Sequence, residues 1–242
     1  MRRVLVDLVD GQQVGCCLFA LFLWACTSAG GKPVGVHASS DSADSGDSGG
    51  TGDSGGADTG VAEDPFIDAV VSFEPGESAG YGQDTMPDVV LGSPMAPGGG
   101  GGSTDVVSLG REGEIVVRFD DITLIDGDGV DLLVFENAFT GWLEPGVVAA
   151  SEDGVIWQEW PCDVANAAEN YPGCAGVASV YVNATNGIDA TDPDTAGGDA
   201  FDLADIGLTR AAFVRVRDAG VREYGGIAGG FDLDAMAVVN GE

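Results

Sequence analysis

Glycine is the residue that most narrows what this chain can become. It fills 40 of 242 positions, and each glycine inside a helix costs roughly 0.5–1 kcal/mol relative to alanine. Long helices are therefore disfavoured, and turns joining short strands are expected. The pattern after Val61 agrees. Runs rich in β-branched and aromatic residues, each stopped by Gly, Pro, Asp or Asn, occupy 115–120, 131–136, 147–151, 155–160, 177–183, 212–218 and 231–239, and these read as strands. Seven or more strands without a repeated helix predict an all-β sandwich over 62–242. Short helices are expected on the connections 162–171 and 201–206. Glu152-Asp153-Gly154 marks a tight hairpin, because Asp-Gly tolerates the positive φ of such turns. In 212–218 the alternation aims Ala212, Val214 and Val216 at a core and Phe213, Arg215 and Arg217 away from it.

Charge restricts function as glycine restricts fold. Nine Lys and Arg face forty Asp and Glu, a formal charge of -31. That balance repels phosphate backbones and sets nucleic acid aside as a partner. So acidic a chain stays soluble by self-repulsion or gathers cations, and outside the cell the abundant hard cation for oxygen ligands is calcium.

The first residues carry an export pattern: Arg2 and Arg3, an apolar run over 14–24 too short to span a bilayer, then Leu23-Trp24-Ala25-Cys26. The tetrapeptide resembles the lipobox of bacterial lipoproteins. It departs from that pattern in Trp24 and in the acids Asp7 and Asp10, which fit a translation start further downstream. The resemblance implies a signal segment over 1–25, lipidation of Cys26 and attachment to the outer membrane or cell surface through that lipid alone. The competing reading is a plain secretory signal cut after Ala29. Residues 26–61 form a tether. Within it, 38–60 is almost wholly Asp, Ser, Gly, Ala and Thr with no apolar group to collapse on, so a disordered, extended coil is expected. Three of the five cysteines, Cys16, Cys17 and Cys26, fall in the signal region up to its cleavage point, which leaves Cys162 and Cys174 to pair in an oxidising compartment. The competing reading is two free thiols or half a metal site, weakened for zinc because the single histidine, His37, lies in the tether and two thiols alone do not make a site.

The run from Asp126 through Asp128, Asp131, Glu136 and Asn137, the Asp153-Gly154 turn, Phe201-Asp-Leu-Ala-Asp205, Val214-Arg-Val-Arg-Asp218 and Gly230-Phe-Asp-Leu-Asp234 carry a further likeness. Together they resemble a family of secreted bacterial cell-surface domains and, more loosely, the galactose-binding-like jelly rolls of carbohydrate-binding modules. That resemblance implies a jelly-roll sandwich with a structural calcium ion clamped between an early loop and the last strand. Asp126, Asp128 and Asp131 would come from the loop and Asp232 or Asp234 from the strand, with Glu136 and Asn137 filling remaining positions. Asp232 and Asp234, two apart, would face one side. Ordinary solvated turn aspartates are the competing account of the same residues. The acidic segment 186–199 reads as a long solvated loop or as a second cation or ligand rim.

Three function classes fit these features. An enzyme would need a pair of carboxylates acting on a glycosidic bond, since no histidine-based or Walker-type motif exists in the domain. A non-catalytic binding module for carbohydrate or another surface polymer would use aromatic faces. Trp142 and Tyr224 lead the candidates over Trp157, Trp160 and Tyr171, and Arg215 and Arg217 offer a cationic spot or pair with surface carboxylates. An adhesive or structural surface protein would need no pocket at all. The binding module is the reading preferred.

Overall fold

The computed structural model describes residues 64–97, 101–137 and 142–242. These belong to one compact unit that ends at Glu242. The signal segment, the tether and Cys26 lie outside the described residues. The unit is an all-β sandwich. A five-stranded antiparallel sheet has the order β1 (Ala69–Glu74), β3 (Glu114–Arg118), β10 (Phe213–Asp218), β6 (Gly146–Ser151), β7 (Gln158–Glu159). A four-stranded sheet has the order β2 (Val107–Ser108), β11 (Asp232–Val238), β5 (Leu132–Glu136), β8 (Asp199–Phe201), and β4 (Leu124–Ile125) pairs with β9 (Arg210–Ala211) alongside.

The core lies between the two main sheets. Ile115 and Val117 of β3 pair with Val216 and Val214 of β10, which pair in turn with Val148 and Ala150 of β6. All six are buried against Leu132, Val134, Leu233, Met236 and Val238 of the opposing sheet. Arg215 and Arg217 take the outer face of β10, as the alternation predicts. β5 and β11 are buried along their whole length because their second face is also covered. There Leu133, Phe135, Ala235 and Ala237 meet Val180, Val182, Ala190 and Ala196.

Four expectations are revised, the first two by that cover. Segment 177–183 is not a strand: it makes only an isolated bridge, Val180 to Gly197, and packs its valines on the sheet. Nor is 186–199 a purely solvated loop. Ala190 and Ala196 are buried, and Asp189 and Asp192 accept hydrogen bonds from Thr191 and Thr195 within local turns. The hairpin at Asp153-Gly154 is wider than a two-residue turn, since β7 begins only at Gln158. Asp153 holds the loop open by accepting from the amides of Val155 and Ile156. The helices expected over 162–171 and 201–206 shrink to single 3-10 turns, Ala167–Glu169 and Leu203–Ile206.

Cys162 and Cys174 form a disulfide across 12 residues. It closes a connection that carries little core, since of its interior residues only a short 3-10 turn is regular. Cys162→Ser with Cys174→Ser is expected to lower unfolding free energy by about 3 kcal/mol, the chain-entropy value for a loop of this size. A urea titration of the double variant checks it, and an unchanged midpoint contradicts the account.

Candidate functional site

The seven acidic and amide residues expected around one ion do not converge. β5 and β11 run antiparallel, so the two ends of their pairing lie far apart. At one end the Val239 amide donates to the Asp131 carbonyl (2.7 Å), and at the other the Asn137 amide donates to the Asp232 carbonyl (3.2 Å). Six residue steps of strand separate Asp131 from Asn137, about 20 Å. A calcium ion reaches only about 2.3–2.6 Å to each ligand. The single clamp joining the loop aspartates to the last strand is therefore not formed.

Asp126, Asp128 and Asp131 stay at the first end. Asp128 and Asp126 are exposed. Asp126 lies near Asp131 and Asp202, but the Asp131 carboxylate is already engaged. Its Oδ1 accepts from the Gly127 amide (2.9 Å) and Asn240 Nδ2 (3.0 Å), and its Oδ2 from the Leu203 amide (2.8 Å). This is a clasp that joins three segments by backbone and amide donors.

Asp234 is separated from Asp232 by a β-bulge. Leu233 and Ala235 oppose the consecutive residues Glu136 and Phe135, so Asp234 is the extra residue and the alternation flips there. Leu233 faces the central core and Ala235 the other face. Asp234 then turns to accept from the Met95 amide at 3.0 Å, and burial lifts its pKa to about 6.

Glu136, Asn137 and Asp232 do meet, at the second end, and Glu144 joins them. One oxygen from each of Glu136, Glu144 and Asp232 lies within 4.8 Å of the others. Glu136 is 1% exposed, Glu144 6%, Asp232 7% and Asn137 8%. Few donors reach them. Asp232 accepts from the Ser108 hydroxyl and, at 3.4 Å, from Asn137 Nδ2. Glu136 Oε1 accepts from the Asp232 amide at 3.4 Å, while Glu136 Oε2 and Asn137 Oδ1 are buried with no hydrogen-bond partner. The electrostatic consequence is uniform. Burial, then the charges of Asp232, Glu144 and Asp199, push the Glu136 carboxyl well above its ordinary value. Burial and Asp232 push Glu144 up to about 7, against the pull of Tyr224 and Trp142. Burial also raises Asp232, against Ser108 and Asn137. Glu144 escapes a reading of the sequence because it lies between Leu143 and Pro145, outside any acidic run. A lone acid just before an apolar strand is the available signal.

Two further buried carboxylates near this end are satisfied by backbone. Asp218 accepts from the amides of Glu112, Gly220 and Phe231, each at 2.9 Å. Asp199 accepts from Gly176, Val177 and Ala178, and its burial outweighs those bonds to bring its pKa to about 7.

The aromatic candidates divide as well. Trp160 is core, tilted against Phe201 with its Nε1 donating to the Asp202 carbonyl. Trp157 lies under the Arg215 guanidinium at 4.9 Å. Arg215 also faces Glu114 (3.7 Å) and Glu159 (3.9 Å), and Arg217 faces Glu159 (3.8 Å). The two arginines are thus paired with surface carboxylates. Trp142 is 49% exposed, with the Arg222 guanidinium 4.3 Å from its ring centre. Tyr224 is half-buried beside them. Its hydroxyl approaches Glu144, and burial and that carboxylate raise its pKa, but it makes no hydrogen bond of standard geometry. Trp142, Arg222 and Tyr224 therefore form a rim over the acidic cluster. Compared with known proteins, the chain matches no protein-family model and shows no significant similarity to a curated protein.

Proposed function

We propose that this chain is an exported cell-surface protein, anchored by a lipid on Cys26, whose sandwich binds carbohydrate or another surface polymer at the rim of Trp142, Arg222 and Tyr224. The observation that carries the reading is Trp142, a large aromatic just before β6 with half its surface open, stacked with a guanidinium. Sugar rings stack on such faces, and the adjacent cation and phenol supply polar partners for their hydroxyls. Arg215 and Arg217 drop out of the ligand set, because neighbouring glutamates already occupy them.

Binding is preferred to glycoside hydrolysis on geometric grounds. A retaining glycosidase needs carboxyl groups about 5–5.5 Å apart flanking an open cleft, and an inverting one needs more. Glu136, Glu144 and Asp232 are instead buried, each bringing one oxygen within 4.8 Å of the others, and among the described residues no open cleft separates them. A glycan array probed with the purified full chain tests the proposal. Specific binding that Trp142→Ala weakens at least about ten-fold, the order of an aromatic contact of about 1.5 kcal/mol, supports it. Silence across the array favours an adhesive or structural surface role, in which the acidic shell acts through charge alone. Hydrolysis of a chromogenic glycoside would return the carboxylates to catalysis.

A further inference from the structure

We infer that Glu136, Glu144 and Asp232, with Asn137 as a neutral fourth ligand, form a binding site for a calcium-class divalent cation at the end of the sandwich. Oxygens up to 4.8 Å apart can share one ion held at about 2.4 Å. The second observation is independent of the clustering: Glu136 Oε2 and Asn137 Oδ1 are buried acceptors with no donor. A buried acceptor left unpaired costs about 1–3 kcal/mol, and more when charged. Asp131, Asp199 and Asp218 avoid that cost by taking three donors each, and the other unpaired buried carboxylate oxygens among the described residues, Asp121 Oδ1 and Asp234 Oδ2, do not belong to a trio of converging acids. Among the described residues, only at Glu136, Glu144 and Asp232 does a trio of buried like charges coincide with missing donors. A cation resolves both.

The donor set selects the ion. All the available atoms are oxygens, which suits calcium, whereas zinc prefers nitrogen and sulfur, and magnesium demands near-ideal octahedral geometry and keeps most of its water. The ligands come from the end of β5, the start of β11 and the segment leading into β6. One ion would tie these three together directly beneath Trp142 and Tyr224. The inference stands whether or not that rim binds carbohydrate.

Terbium, a luminescent calcium substitute, is the probe, because energy transfer from the nearby aromatics reports a filled site directly. The full chain, stripped with chelator, is titrated with terbium under aromatic excitation and then competed with calcium. Expected are sensitised emission displaced by calcium, and a melting temperature raised by about 5–10 °C at a hundred-fold excess of calcium over its Kd. Glu136→Gln, Glu144→Gln and Asp232→Asn should each weaken calcium about 100-fold or more, while Asp126→Asn leaves it unchanged. Misfolding is controlled by sign. In chelator Glu136→Gln should melt at or above the parent chain, because one of three mutually repelling charges is gone, yet it should gain nothing from calcium. A parent chain whose melting follows pH but ignores calcium overturns the inference, as does a calcium response that survives the three variants or vanishes in Asp126→Asn. Trp142→Ala, which should weaken glycan binding at least about ten-fold, is expected to keep the calcium response, so failure of one proposal is distinguishable from failure of the other.

Discussion

Asp131→Ala is expected to lower the unfolding free energy by about 4 kcal/mol or more, and by the same amount with calcium or with chelator. The residue is fully buried, and its removal strands three donors: the amides of Gly127 and Leu203 and the side-chain amide of Asn240. Each buried donor left unpaired costs about 1–3 kcal/mol, and domains of this size have only about 5–15 kcal/mol to lose. Asp131→Asn keeps the shape but turns one acceptor into a donor that faces another donor, so an intermediate loss is expected. Chemical denaturation of both variants in calcium and in chelator makes the measurement. A loss confined to calcium would mean that the loop of Asp126 and Asp128 holds an ion after all and that the clasp reading is wrong.

Phe231→Ala should cost a similar amount, about 4 kcal/mol, by a different route. The ring is completely buried between the sheets. It lies against Gly146, where an added Cβ would meet the ring at 2.6 Å and Val216 at 2.9 Å. Truncating it opens a cavity that a sheet-bound backbone cannot close. Gly146→Ala alone should destabilise by overcrowding the same place. Because the new methyl partly fills the space the ring leaves, the double variant should be less unstable than the sum of the two single changes. Urea midpoints of the four proteins in the cycle give the coupling. Strict additivity would show that Phe231 and Gly146 do not share that space. Phe231 also immediately precedes Asp232, so its loss should loosen the acidic cluster and weaken whatever cation is held there.

These two sites show where sequence and tertiary structure divide the work. The strand character of β3, β5, β6, β10 and β11 was legible in the chain, because a half-buried or fully buried strand needs apolar, β-branched residues at a period no other element shares. So were the outward arginines of β10, since alternation along one strand is a local property, and the Cys162–Cys174 pairing, since only two cysteines remained to make it. Segment 177–183 misled because its valines pack on a sheet as cover, and burial without ladder bonds leaves the same composition as a strand.

Which acids share a space was not legible. Asp126, Asp128 and Asp131 sit close in sequence to Glu136, yet one strand length places them and Glu136 at opposite ends of the same ladder. Asp232 and Asp234 differ in partner because a single bulge reverses the alternation between them. Glu144 joins Glu136 and Asp232 only through the pairing of β5 with β11 and the return of the chain into β6. Local pattern determines what each residue can do within its own strand. Register, bulges and the path of the connections decide which residues meet across strands, because those contacts depend on backbone hydrogen bonds between segments nearly a hundred residues apart.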